Sequence, residues 1–204
     1  MLTQTEPHRD DRDSSHVGQP ESANGPNTAA RRYPVNVFDS TAARTPSTTR
    51  AGTAEQIANK LRTVIQVYRK DLAPLVTFVK YRAGATSRGI ADIEKAHAVY
   101  GDIDNGFDPD VFDAGMLTLA QMGAQVVAYQ TFSHTPEAPR WRVLVLLDEP
   151  IPAEHYRACW EGLNALFDGM LDGNAKDCSR LNYWPSCPPG ETREVRTVNI
   201  GAMQ

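Results

Sequence analysis

Cysteine is scarce in this chain. Cys159, Cys178 and Cys187 are the three present, and no two form a Cys-x-x-Cys pair. That argues against a zinc ribbon and against a disulfide scaffold, and it suits a reducing cytoplasm, the expected location. Long apolar runs are missing as well. No stretch approaches the roughly 18–20 apolar residues a membrane span needs, so no membrane partner is expected. Residues 1–30 contain no hydrophobic segment of the signal-peptide type. They hold few large apolar side chains and several breakers (Gly18, Pro20, Gly25, Pro26), and they read as a disordered leader. A His-apolar-His pair is absent, which sets aside a rolling-circle nuclease, and so is a Walker A lysine loop.

What is present describes an ordinary globular chain: 204 residues, 41% hydrophobic and 23% charged. That is enough for one good-sized domain over residues 31–204, built as two lobes sharing a core. The net charge of −4 conceals a division. Residues 31–90 carry 11 Lys/Arg against 3 Asp/Glu, a balance of +8, whereas residues 91–204 carry 8 against 17, a balance of −9. A basic lobe (31–90) beside an acidic one (91–204) suits one surface for phosphates and another for cations, or solvated faces of unrelated elements.

Local patterns supply an element order. Residues 33–38 are strand-like. From Thr53 to about Lys70, Ile57, Leu61, Val64, Ile65 and Tyr68 fall at helical spacing, with Thr53 and Gln56 forming a capping box. Residues 75–79 read as a strand and 83–89 as a loop. A strand at 96–100 runs into Gly101-Asp102-Ile103-Asp104. A helix follows from about Asp110 to Met122, capped by Asp108 with Pro109 at its first position. Strands at 125–131 and 141–147, a helix from Ala153 to about Phe167 and a strand at 181–184 complete the chain. The second half is thus β-α-β-β-α-β, which predicts an α+β fold with an RRM-like, ferredoxin-like antiparallel sheet beside a smaller N-terminal αβ lobe.

Three places could carry chemistry. The Asp-x-Asp motif occurs at 11/13, 102/104 and 108/110. The first lies in the leader and the last is explained as a helix cap. Asp102 and Asp104 end an apolar strand, where alternation points both side chains to one face. Paired carboxylates repel unless a cation such as Mg²⁺ or Mn²⁺ neutralises them. The alternative is two solvated aspartates at a strand-to-turn junction. Ser133 and His134 follow the second strand of this half, and Arg140 and Arg142 open the third, where their forks would match phosphate oxygens. Residues 171–180 offer Asp172 or Asp177 as a third carboxylate and Arg180 as a phosphate contact, although Asp-Gly-Asn is also turn chemistry.

Taken together, GDIDNG, TFSHTPEAPRWRVLVLL and LDGNAKDCSRLNYWPS resemble the motifs of the archaeo-eukaryotic primase superfamily, in particular the primase–polymerases of phages and plasmids. The resemblance spans roughly residues 33–200. It implies template-directed nucleotidyl transfer with two divalent metals (Mg²⁺ or Mn²⁺) held by Asp102, Asp104 and Asp172, with Asp177 as the fallback. It implies nucleotide binding by Ser133, His134, Arg140, Arg142 and Arg180, with Phe132 where the family's Ser-x-His serine stands. Implied partners are a single-stranded DNA template, nucleoside triphosphates and a replicative helicase, the chain being a stand-alone core or one piece of a longer replication protein. The rival from another class is a non-catalytic nucleic-acid- or nucleotide-binding module. That module would expose stacking aromatics from its first and third strands, a pattern that Arg-Trp-Arg-Val-Leu-Val-Leu-Leu does not show. A sugar transferase using the Asp-x-Asp would want parallel βαβ units, which the second half lacks.

Overall fold

Strand β1 (Tyr33–Phe38) pairs antiparallel with β2 (Thr48–Gly52), and Tyr33, Asn36 and Phe38 of β1 are buried. The computed structural model describes residues 30–201, so the expected leader lies, but for its last residue, outside the described residues. Helix α1 (Ala54–Arg62) starts on the predicted capping box. The Gln56 N–H donates to Thr53 Oγ1 at 3.2 Å and the Thr53 N–H donates to Gln56 Oε1 at 3.1 Å. It ends at Arg62, well short of the predicted Lys70. Thr63-Val64-Ile65 is a β-branched run that disfavours helix, and Ile65–Gln66 instead forms β3, parallel to Ser186–Cys187.

A 3-10 turn at Lys70–Leu72 leads into β4 (Leu75–Thr77) and β5 (Val79–Tyr81). One strand was expected here. The chain instead changes sheets at Phe78. Strand β6 (Ile93–Ile103) is longer than expected, so Asp102 lies inside it. Helix α2 (Pro109–Gln121) begins as predicted, with Asp108 Oδ1 accepting from the N–H groups of Asp110 and Val111. After β7 (Gln125–Gln130) and β8 (Trp141–Pro152), a 3-10 turn at Ala153–His155 precedes α3 (Tyr156–Leu166). The chain closes with β9 (Asn182–Tyr183), β10 (Ser186–Cys187) and β11 (Val195–Val198).

Among the described residues the strands form three sheets, ordered β2-β1-β4-β9, β10-β3 and β11-β7-β8-β6-β5. The class is α+β and the large sheets are antiparallel. The ferredoxin-like order is not the one formed. The run β7-β8-β6 matches it, but the expected fourth strand, β9, pairs with β4 in the other sheet. Two features account for this. Val79–Tyr81 already fills the edge beside β6. Strand β9 is also only two residues long and is soon followed by Pro185, which has no N–H for a ladder. Each large sheet therefore takes a strand from across residue 90.

The five-stranded sheet is buried on both faces. One face carries Val99, Ile103, Val143 and Val145 against α2 and α3, where Phe112 packs 4.9 Å from the Trp141 ring. The other carries Ala98, Tyr100, Val127 and Leu144 against α1 and Phe78. Where this second core runs out, at the ends of β6 and β8, polar side chains take over.

Candidate functional site

Register decides the centre of the site. Asp102 on β6 lies directly across from Arg142 on β8, and both side chains are on the face shared with Tyr100 and Leu144. Arg142 Nε donates to Asp102 Oδ1 at 2.5 Å and Arg142 Nη2 donates to Oδ2 at 3.0 Å, a two-point fork on a carboxylate. Arg142 Nη1 donates to the Tyr183 carbonyl at 3.0 Å and reaches the Tyr129 hydroxyl at 3.4 Å. The pair is sealed: Asp102 is 2% exposed and Arg142 6%. Burial alone would push the Asp102 carboxyl up, but the Arg142 charge and hydrogen bonds, with Arg180 and Lys70, hold it below the usual carboxylate range. Burial also opposes the Arg142 charge, and Asp102 outweighs it, so Arg142 stays a cation.

Three more cations stand around this pair. Arg180 Nε is 3.9 Å from Asp102 Oδ2, and its Nη1 donates to the Asn174 carbonyl at 2.9 Å. Arg140 Nη1 is 3.8 Å from Asp104 Oδ1, and its buried Nε has no hydrogen-bond partner among the described residues. Lys70 sits over the Tyr183 ring, its Nζ 4.9 Å from the centroid. Burial pushes the Lys70 ammonium below the usual lysine range, Arg142 and Arg140 push the same way, and Asp104 and Asp102 oppose them. Four cations thus surround two carboxylates. Lys70, Arg142, Arg180 and the two carboxylates line a cavity of about 80 Å³, walled further by Thr131, Phe132 and Trp184. That is far below the roughly 300–1,000 Å³ of a whole-ligand pocket. The cavity has room for one anionic group, and the rest of a ligand would lie in the open mouth above it.

The other expected residues fall elsewhere. The Asp172 N–H donates to the Asp102 carbonyl at 2.7 Å, an approach that Gly101 permits. A Cβ there would come within 2.6 Å of Leu171 Cδ1. Asp172 is thus beside Asp102 in backbone, but its carboxylate caps the next turn, accepting from the Asn174 backbone N–H and side-chain amide. Asp177 is exposed and accepts from the Ser179 N–H at 2.7 Å. His134 Nδ1 accepts from the Arg140 N–H at 3.2 Å, which pins the 131–140 loop. Burial and Arg193 lower its pKa, favouring the neutral ring. Ser133 is exposed in the same turn, and neither it nor His134 lines the cavity.

The donor set therefore does not fit the two divalent cations implied by the sequence. Both oxygens of Asp102 are taken by Arg142, and Asp172 is committed to its own turn. Among the described residues no group of three or more His, Cys, Asp or Glu is placed to hold a metal ion. In this arrangement the charge of the aspartates is balanced by arginine.

Lys70, Tyr183 and Trp184 were not singled out in the sequence, and Phe132 stood out only as the residue at the family's serine position. Lys70 carried a weak signal, as part of Tyr68-Arg69-Lys70 in the basic half. Tyr183 and Trp184 read only as strand positions.

Comparisons with known proteins bear on this arrangement. A family model described as the VapE N-terminal domain matches residues 38–194. No curated protein matches the chain. Among solved structures it is similar to the AEP domain of the Cyanophage S-2L primase-polymerase, at 12% identity and a TM-score of 0.41, covering 81% of this chain and 80% of that one. It is also similar to the polymerase domain of Mycobacterium tuberculosis Ligase D in complex with DNA, at 14% identity and a TM-score of 0.41, covering 79% of this chain and 60% of that one.

Proposed function

Starting from the fact that this chain belongs to the VapE N-terminal domain family, in keeping with the primase–polymerase superfamily its motifs resemble, we propose that it is a nucleotidyltransferase-type replication domain whose cleft binds the triphosphate of an incoming nucleotide. The observation that carries this reading is a phosphate-sized cavity lined by three cations, Lys70, Arg142 and Arg180, against two carboxylates, Asp102 and Asp104, with Arg140 behind Asp104.

The roles follow from the contacts. Arg142 is spent on Asp102 and sets the floor. Arg180 and Lys70 are the exposed-side cations that would meet phosphate oxygens, where charge builds as a hydroxyl attacks phosphorus and pyrophosphate leaves. Asp104 is half-exposed and loosely held by Arg140, which leaves its carboxylate able to take the proton of the attacking hydroxyl. Tyr183, Phe132 and Trp184 offer flat faces for a base at the mouth.

The deciding experiment is primer extension and dinucleotide synthesis on single-stranded DNA, with Mg²⁺ or Mn²⁺ accompanying the triphosphate. Wild type is expected to form product, and Asp104→Ala to lose it while keeping the wild-type melting temperature. Absence of product with either metal would sink nucleotidyl transfer. A second reading, triphosphate binding without turnover, is favoured by the Arg142 fork on Asp102. It predicts retained triphosphate binding in that same product-free case.

Lys70 adds a pH signature. Its protonated form binds an anion, and its pKa in the free protein is depressed. Triphosphate affinity is therefore expected to fall as pH rises through that depressed value, below the region of about 10.4 where an ordinary lysine titrates. Lys70→Arg should shift the fall to higher pH. A titration of affinity against pH in both proteins reads this directly, and identical profiles would remove Lys70 from the site.

A further inference from the structure

We infer that Arg193, which does not itself line the cleft, is a positioning residue for it: its guanidinium fork fixes the chain after β7 so that the Phe132 ring stands where the base of a nucleotide stacks. The inference rests on the reading of the cleft as a nucleotide site and adds the part that receives the base.

Strand register brings Arg193 there. Tyr129 pairs with Val195 across the β7–β11 ladder. The pairing runs on past that position, with the Gln130 N–H donating to the Glu194 carbonyl at 3.0 Å and the Glu194 N–H donating to Gln130 Oε1 at 2.9 Å. Arg193 is thereby set beside Thr131 and Phe132, where β7 leaves the sheet and becomes part of the cavity wall. Its Nε donates to the Thr131 carbonyl at 3.0 Å and its Nη2 to the Phe132 carbonyl at 2.9 Å. Nη1 donates to the Thr192 carbonyl at 2.8 Å, and Nη2 also meets Glu191 Oε2 at 2.8 Å. The Arg193 side chain is only 4% exposed, so its donors are spent inside the protein.

Those two carbonyls are the ones that matter for Phe132. Each belongs to a planar peptide unit, and the two units flank the Phe132 Cα. Holding both planes sets the direction in which the ring leaves the backbone. A guanidinium fork can hold two acceptors at a fixed angle, which the point charge of an ammonium cannot. The same cation reaches the rest of the loop. Burial and Arg193 favour the neutral His134 ring, against Glu194 and Glu191. The neutral Nδ1 accepts from the Arg140 N–H, and Arg140 stands beside Asp104.

A general structural brace would affect every ligand of the cleft alike, whereas a residue that places Phe132 affects the base and spares the phosphates. The test uses the full chain with two probes, a nucleoside triphosphate and inorganic tripolyphosphate. Arg193→Gln is expected to weaken the nucleoside triphosphate about tenfold, the scale of one lost base–aromatic stack, and to leave tripolyphosphate within twofold of wild type. In a Phe132→Ala background the same change should add less than twofold, because the ring it positions is gone. Arg193→Lys, which keeps the charge and loses the fork, should show the same split and carries the test if the Gln variant does not fold. Followed by proton NMR, the His134 ring should titrate at higher pH in Arg193→Gln, where burial alone is left to oppose Glu191 and Glu194.

An equal loss for both probes, full additivity with Phe132→Ala, or a His134 titration unmoved from wild type would each overturn the inference. So would nucleoside triphosphate affinity within twofold of wild type in Arg193→Gln or Arg193→Lys. Wild type binding neither probe would strike the cleft reading itself, whereas binding of both without the split strikes the role of Arg193 alone.

Discussion

Replacing Asp102 with Asn is expected to cost the fold about 3–5 kcal/mol, the usual penalty for removing one partner of a buried ion pair. The reason is specific. Arg142 is 6% exposed and cannot shed its proton, so the variant leaves a buried cation without the carboxylate it forks, while Asp104 is already beside Arg140. A domain of this size is stable by about 5–15 kcal/mol, so the loss takes much of the total. Urea unfolding followed by circular dichroism measures it as a lower midpoint. A double variant, Asp102→Leu/Arg142→Met, is expected to recover part of the loss, because removing both charges removes the desolvation cost of each.

The same experiment separates two roles for Asp102. A carboxylate kept to bind a cation is strained by its neighbour, and Asn there leaves stability unchanged or higher. A carboxylate kept to neutralise Arg142 behaves in the opposite way. An unchanged midpoint in Asp102→Asn would therefore restore the metal-ligand role that the arrangement argues against. The pH dependence has the same sign. The Asp102 carboxyl is depressed in the folded state, so its contribution is fully present above the unfolded value of about 3.9 and is lost as pH falls through the folded one. Wild type should lose stability below about pH 4 more steeply than the Asn variant.

The largest functional effect is expected from Lys70→Ala/Arg180→Ala. Each side chain is a charged donor at the rim of the cavity, and a hydrogen bond to a charged group is worth about 1.5–3 kcal/mol. Losing both should reduce triphosphate affinity by about 10²–10⁴-fold, read by calorimetry or by displacement of a fluorescent nucleotide. Both residues are accessible from the cleft mouth and neither is part of the sealed pair, so the melting temperature should hold. Arg180 sits 3.9 Å from Asp102, which makes a small stabilising coupling between them the one structural effect to separate. Affinity within threefold of wild type would mean that the cationic excess serves the carboxylates rather than a ligand.

Much of the secondary structure was legible in the chain. The capping box at Thr53 and Gln56, the Asp108-Pro109 helix start, the β7 strand and the start of β8 at Trp141 are local signals, set by backbone hydrogen-bond chemistry within a few residues, and they stand where the sequence puts them, although β8 runs on to Pro152 rather than ending at Leu147. The same holds for Asp102 and Arg142 as residues of interest, since strand alternation sends them to one face. The end of α1 was misread because Val64, Ile65 and Tyr68 keep helical spacing while Thr63-Val64-Ile65 favours a strand. A parallel partner at Ser186–Cys187, more than a hundred residues away, decides in favour of the strand.

What the sequence by itself determined, then, is the identity of the elements, the basic and acidic halves, and the set of charged side chains available. Tertiary structure alone decided how those charges pair. Periodicity tells which face a side chain takes, but not which strand lies beside it. The place next to β6 went to β5 rather than to β9, and the Tyr183 carbonyl was thereby brought onto Arg142 from the other sheet. Register then put a guanidinium fork opposite Asp102 at hydrogen-bond distance. In a buried site the nearest opposite charge dominates, because the interaction falls with distance and water is not there to screen it. That is why two aspartates that read as metal ligands in the sequence stand in the fold as the counter-ions of arginines.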